Sequence, residues 1–114
     1  MISLLVDECY AFDYLSILEV KKNINLEKNE KAWEECFKYL RDQIPDLFTV
    51  IIASNEYKEL YDANLLTFNA VAKARSGESI SAKEVDDLNI LRYNKKLSLQ
   101  KKYFSETIVR EVKL

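Results

Sequence analysis

The sequence predicts an all-α fold, a four-helix up-down bundle with a short C-terminal tail, as one domain over residues 1–114. Three observations carry that expectation. Gly77 and Pro45 are the chain's single glycine and single proline, whereas an all-β domain of this length needs turn residues every ~8–12 positions. Hydrophobic residues make up 48% and charged residues 32%, the mixture of a chain that collapses around a core and not of a disordered one. Long stretches repeat apolar residues at the spacing of a helix face. At 114 residues, a compact fold buries roughly two-thirds of the surface its unfolded chain exposes, so one core suffices.

Helix one is expected from about Ile2 to Lys22. Its apolar residues, from Leu4 and Leu5 through Phe12 and Leu15 to Val20, wrap most of the circumference, and such a helix is buried on most sides or covered by a partner. Asn25 is the expected N-cap of helix two, which runs to about Gln43 with Trp33, Cys36, Phe37, Leu40 and Ile44 as one stripe. Pro45 ends that helix and suits the first turn of the next, where its missing N–H costs nothing and Asp46 complements the dipole. Helix three is drawn to Lys73. Within it the β-branched run Thr49-Val50-Ile51-Ile52 has strand propensity, and Ser54-Asn55 offers a cap at which a new helix would start. Arg75 to Ser79 is a loop, and Ser81 with Glu84 forms a capping box opening helix four, which reaches about Phe104. Thr107 to Leu114 reads as an ordered or partner-bound tail.

Cys9 and Cys36 sit inside apolar helical patterns, and with no histidine in the chain they cannot complete a Cys/His zinc site. They read as buried thiols of a reducing compartment. Met1 to Val20 is apolar but carries Asp7, Glu8, Asp13 and Glu19 and lacks a basic n-region, which fits neither a signal peptide nor a membrane span. The expected location is the cytoplasm. Those four acids stand without a base in residues 1–20, while residues 88–114 carry seven bases and two acids. The two ends are electrostatic complements.

On helix four, Val85, Leu88, Leu99 and Tyr103 form one stripe, and Ile90, Tyr93, Leu97 and Phe104 a second. At ~100° per residue, Asn89, Arg92, Lys96 and Gln100 fall between them. Enclosed cations require partners, so Arg92 or Lys96 is expected to meet Asp7, Asp13 or Glu19 of helix one. The same strip also suits a small anion or a peptide.

Glu56-x-x-Glu59 and Glu84-x-x-Asp87 resemble in outline the ExxE and ExxD pairs of the all-α nucleotide pyrophosphohydrolases, in which carboxylates on two helices hold Mg²⁺ against a triphosphate. In a simple hairpin about the Gly77 turn, however, Glu59 and Glu84 would lie roughly 15 Å apart, and solvated helix faces explain the same residues. Lys95, Lys96, Lys101 and Lys102 with Tyr93, Tyr103 and Phe104 would be the nucleic-acid-binding set, but those cations surround the helix and the net charge is −2. No phosphate loop, nucleophile elbow or Ser/His/Asp set occurs, and the commonest general base is missing. No cofactor is implied.

Tyr14-Leu15-Ser16-Ile17-Leu18-Glu19-Val20-Lys21, then Asn89-x-x-Arg92-x-x-x-Lys96, then Glu111-Val112-Lys113 resemble an uncharacterised family of small four-helix proteins of bacteria and tailed phages. The likeness covers the two ends of the chain. Phe12-Asp13-Tyr14 replaces that family's Asp-Lys pair, Ile90 replaces its second acid, and Leu114 stands where it has Ser-Tyr. The resemblance implies a four-helix fold, a phage origin and one polar network of Glu19, Lys21, Asn89, Arg92 and Lys96 joining the first and last helices; it implies no activity. The functional expectation is a non-enzymatic interaction or accessory protein that uses apolar helix one for self-association or a protein partner. The alternatives are the Mg²⁺-dependent nucleotide hydrolase and a nucleic-acid-binding accessory protein.

Overall fold

The computed structural model describes Ile2 and residues 5–104. The expected tail from Thr107 to Leu114, with the Glu111-Val112-Lys113 match, lies outside these residues. Five helices follow in order: α1 (Glu8–Ile24), α2 (Leu26–Gln43), α3 (Pro45–Ile52), α4 (Asn55–Arg75) and α5 (Ala82–Phe104). No strand occurs among the described residues.

Two corrections to the four-helix expectation have local causes. Helix one begins at Glu8 and not at Ile2: Leu5 and Val6 are non-helical and exposed, and Asp7 holds an extended conformation. Glu8 in the first turn then suits the positive end of the helix dipole. The long helix three is broken after Ala53. Ser54 accepts the Tyr57 N–H through Oγ at 3.1 Å, and its own hydroxyl donates to the Ile51 carbonyl. One side chain thus closes α3 and caps α4. The β-branched run stays helical in α3, because Phe48 and Ile51 are buried against the core.

Other boundaries follow the sequence. Asn25 is extended, donates its N–H to the Lys21 carbonyl and accepts from the Lys28 N–H, ending one helix and starting the next. Asn29 adds a side-chain bond to the Lys21 carbonyl. Pro45 occupies the first turn of α3. After Arg75, the Glu78 N–H reaches the Lys73 carbonyl and the Gly77 N–H the Ala74 carbonyl, with Gly77 at φ +95°. That is a Schellman ending, in which the left-handed residue falls to glycine. Ser81 accepts the Glu84 N–H at 3.1 Å, as the capping box requires.

α1 and α2 form one antiparallel hairpin, with Lys22 lying 3.5 Å over the Trp33 ring. α4 and α5 form a second, marked by Glu56–Lys102, Glu59–Lys95 and Asn64–Arg92 contacts. α3 bridges the hairpins, and α1 packs on both α4 and α5. An aromatic chain links four helices: Trp33–Phe37–Phe48–Phe12–Phe104, with centroid separations of 5.0, 4.8, 6.2 and 6.3 Å. Cys9, Leu15, Leu40, Ile51, Tyr57, Leu60 and Leu99 complete this core. It occupies one end of the second hairpin, since between residues 65 and 98 no side chain is fully buried.

At that end, Glu56 accepts from Lys102 at 2.8 Å and from the Tyr103 hydroxyl at 3.0 Å. The Lys102 bond foremost, then Tyr103, holds Glu56 below its ordinary 4.5, and the Glu56 bond raises Lys102 in turn. A carboxylate with a lowered folded pKa adds stability above its unfolded pKa and loses it as pH falls through the folded one. The stability difference between wild type and Glu56→Gln, followed by urea denaturation against pH, is therefore expected to be present at neutral pH and to vanish under acid, below pH 4.5. A pH-independent difference would assign the effect to packing.

Candidate functional site

The site begins with a polar residue set into an apolar face on each of two helices. Ser16 stands four residues after Phe12 on α1, and Asn64 four after Leu60 on α4, so both face the core. The Ser16 hydroxyl donates to the Asp13 carbonyl at 2.8 Å. Asn64 Nδ2 donates to Asp13 Oδ1 at 2.9 Å and to Ser16 Oγ at 2.6 Å. Its carbonyl oxygen accepts from Arg92 Nε at 2.7 Å. The amide has one orientation that satisfies a carboxylate and a guanidinium together.

α5 supplies the cations. Arg92 and Lys96 stand at i and i+4 and both reach Asp13 Oδ2, at 3.5 and 3.9 Å. Lys96 also lies 4.8 Å from the Tyr10 ring centroid, a cation–π contact. One turn on, Gln100 accepts the Cys9 N–H at 2.9 Å and donates to Glu8 at 3.0 Å. The Cys9 N–H is one of the orphan donors of the first turn of α1, so α5 caps α1 across the sequence. Burial, the leading influence, pushes the Cys9 thiol up to about 11; it is an inert core group.

This arrangement meets part of the sequence expectation. Arg92, Lys96 and Gln100 are enclosed and Arg92 and Lys96 pair with Asp13 of α1. Asn89 is exposed. Glu19 accepts from the Tyr57 hydroxyl at 3.3 Å instead. Burial first, then the Glu19 charge, drives that phenol upward and keeps it a neutral donor. Asn64 was not singled out by composition or motif, and Ser16 entered only within the Tyr14–Lys21 stretch, with no role assigned; their signal is a polar side chain at a stripe position.

The four carboxylates of the hydrolase alternative do not converge. Glu56 is held by Lys102 and Tyr103, and Glu59 by Lys95 at 3.3 Å. Asp87 pairs with Lys83 within its own helix at 3.0 Å, and Glu84 lines a surface cleft that Ala70 and Lys73 also line. In an antiparallel pair with Glu59 opposite Lys95, Asp87 is eight residues, about 12 Å, further along. Among the described residues no three His, Cys, Asp or Glu side chains are grouped to hold a metal ion. Of the nucleic-acid set, Lys95, Lys96 and Lys102 each meet an acid, Lys101 is exposed, and Phe104 packs at a tilt on Phe12.

Next to the Asp13 network a cleft of about 250 Å³ opens between α1, α4 and α5. Ile17, Val20, Phe68 and Val71 give it an apolar floor; Lys21, Arg75 and Arg92 are its charged lining. Chemically the arrangement can bind and orient. It presents donors and fixed cations and, among the described residues, no nucleophile paired with a base.

No family model matches the chain, and neither a curated protein nor a solved structure matches it.

Proposed function

We propose that this is a non-enzymatic interaction or accessory protein, of phage or bacterial origin, that acts in the cytoplasm by joining a second copy of itself or a protein partner. The observation that carries the reading is the uncovered apolar surface along the first hairpin. Tyr14 on α1 and Tyr39 on α2 are 58% and 61% exposed, and they line a groove with Ile2, Ala11 and Leu40. Leu5 and Val6, just before α1, are also exposed. Contiguous apolar surface of this kind marks an interaction site in a water-soluble chain, and tyrosine is favoured there because a large rigid ring contacts a partner at small entropic cost.

The surface is narrower than the all-round apolar character of helix one suggests. Cys9, Phe12, Leu15, Leu18 and Val20 are buried by the chain's own α2, α4 and α5, leaving Tyr14 and Ile24 outward. Among the described residues no helix is long and apolar enough to cross a membrane. The phage or bacterial assignment rests on the resemblance at the chain ends.

Light scattering across concentration tests the reading. The wild type is expected to rise toward a dimer mass or to retain a protein partner in pull-down, and Tyr14→Glu/Tyr39→Glu to be monomeric and to lose that partner. A wild type that stays monomeric and captures nothing the double variant does not capture would sink it.

A further inference from the structure

The cleft beside the Asp13 network has a charge composition that the internal pairing leaves unbalanced. Of the lining cations, Arg92 shares the single Asp13 carboxylate with Lys96, which is not itself part of the lining, and the Arg92 side chain is 25% exposed. Lys21 and Arg75 add two more positive charges to the lining, and among the described residues no acidic side chain lines the cleft. Cations grouped about a partly desolvated concavity attract an anion more strongly than the same charges in open water do.

Arg92 is also held in place for such a ligand. Asn64 accepts from Nε and Asp13 faces one terminal nitrogen, so the guanidinium approaches the cleft with its rotamer already chosen. A donor fixed before binding loses less entropy on contact, and guanidinium geometry matches a carboxylate in a bidentate manner. The floor beyond it is aliphatic and aromatic: Val20, Phe68 and Val71. The lining runs along α4 from Asn64 to Arg75, about 16 Å at 1.5 Å per residue.

From these features we infer that the cleft binds a carboxylate carried on an apolar body of about ten heavy atoms, with Arg92 as the fixed donor, Lys21 and Arg75 closing over the charge, and Phe68 and Val71 under the apolar part. A cleft of 250 Å³ lies just below the range of small-molecule pockets, which sets the size. This site is separate from the Tyr14–Tyr39 surface. A small free acid and the C-terminal carboxylate of a peptide share the required chemistry.

Octanoate is the probe, titrated by calorimetry and by amide chemical shifts in parallel with octan-1-ol and with a short leucine-ended peptide in free-acid and amide forms. Octanoate is expected to bind with a Kd of about 1 mM or tighter and to shift the Thr67, Phe68 and Val71 amides, and octan-1-ol to bind at least about tenfold more weakly. Lys21→Glu/Arg75→Glu is expected to weaken octanoate by about tenfold or more, whereas Lys38→Glu, an exposed charge reversal on α2, leaves it within about twofold. These exposed positions spare the Arg92 network, so the fold is retained. Tighter binding of the free-acid peptide than of octanoate assigns the site to a peptide terminus, and the reverse assigns it to a small acid. Equal binding of octan-1-ol, equal effects of the two charge-reversed proteins, or unmoved cleft amides would each overturn the inference.

Discussion

Asp13→Ala is expected to cost about 3–5 kcal/mol of stability, because it leaves two enclosed cations without their shared carboxylate. The Asp13 side chain is 10% exposed, and it receives Arg92, Lys96 and Asn64 at once. Removing it orphans charged donors in a region water reaches poorly, and the penalty is their desolvation more than the lost attraction. Against a typical total of ~5–15 kcal/mol for a domain, that fraction is large. Urea denaturation followed by circular dichroism measures it. Two further variants separate the causes. Asp13→Asn keeps an acceptor for Asn64 and loses the charge, so it should fall between wild type and alanine. The triple change Asp13→Leu/Arg92→Met/Lys96→Met removes every member of the ion group and should be more stable than Asp13→Ala alone. If the triple variant is the least stable of the set, the network is a net source of stability and the desolvation account is wrong.

Phe12→Ala is expected to be of similar size, about 3–5 kcal/mol, through a different mechanism. Phe12 is fully buried and touches Phe48 of α3 and Phe104 of α5. It is the link at which the aromatic chain passes from the first hairpin to the second. Deleting the ring removes transfer free energy and leaves a cavity that three helices must collapse to fill. Phe12→Leu retains most of the volume and should lose roughly half as much or less. A Phe12/Phe104 double-mutant cycle in the same denaturation assay should show coupling of about 0.5–1.5 kcal/mol. Additive losses would mean that α5 is anchored by Leu99 and Gln100 and not by the ring contact.

The contrast between the two variants bears on where function can reside. The core is a packed seam at one end of the second hairpin, while the outer part of α4 and α5 carries no fully buried residue. Elements with few buried contacts are free to adapt to what they bind. The cleft spans the boundary between these regions, with its inner end at Asn64 and Arg92 and its outer end at Arg75.

By itself the sequence determined what depends on neighbours within about four residues. The helical class, the Asn25 cap, the helix start at Pro45, the Ser81–Glu84 box and the Gly77 turn were all legible, because each is decided by propensity, a missing N–H or a side chain reaching its own backbone. The break at Ser54 was visible as an option and was taken, since the same residue satisfies both flanking helices. The enclosure of Arg92 and Lys96 was legible too, from two apolar stripes with cations between them. Tertiary structure alone decided which acid they meet. Asp13 and Glu19 are equally acidic in sequence, but Asp13 faces α5 and Glu19 faces Tyr57. It also decided that Asn64 orders the group and that Gln100 caps α1 from 91 residues away. Such pairings depend on helix crossing and rotation, which a repeat of apolar residues constrains to a face and leaves open as to partner.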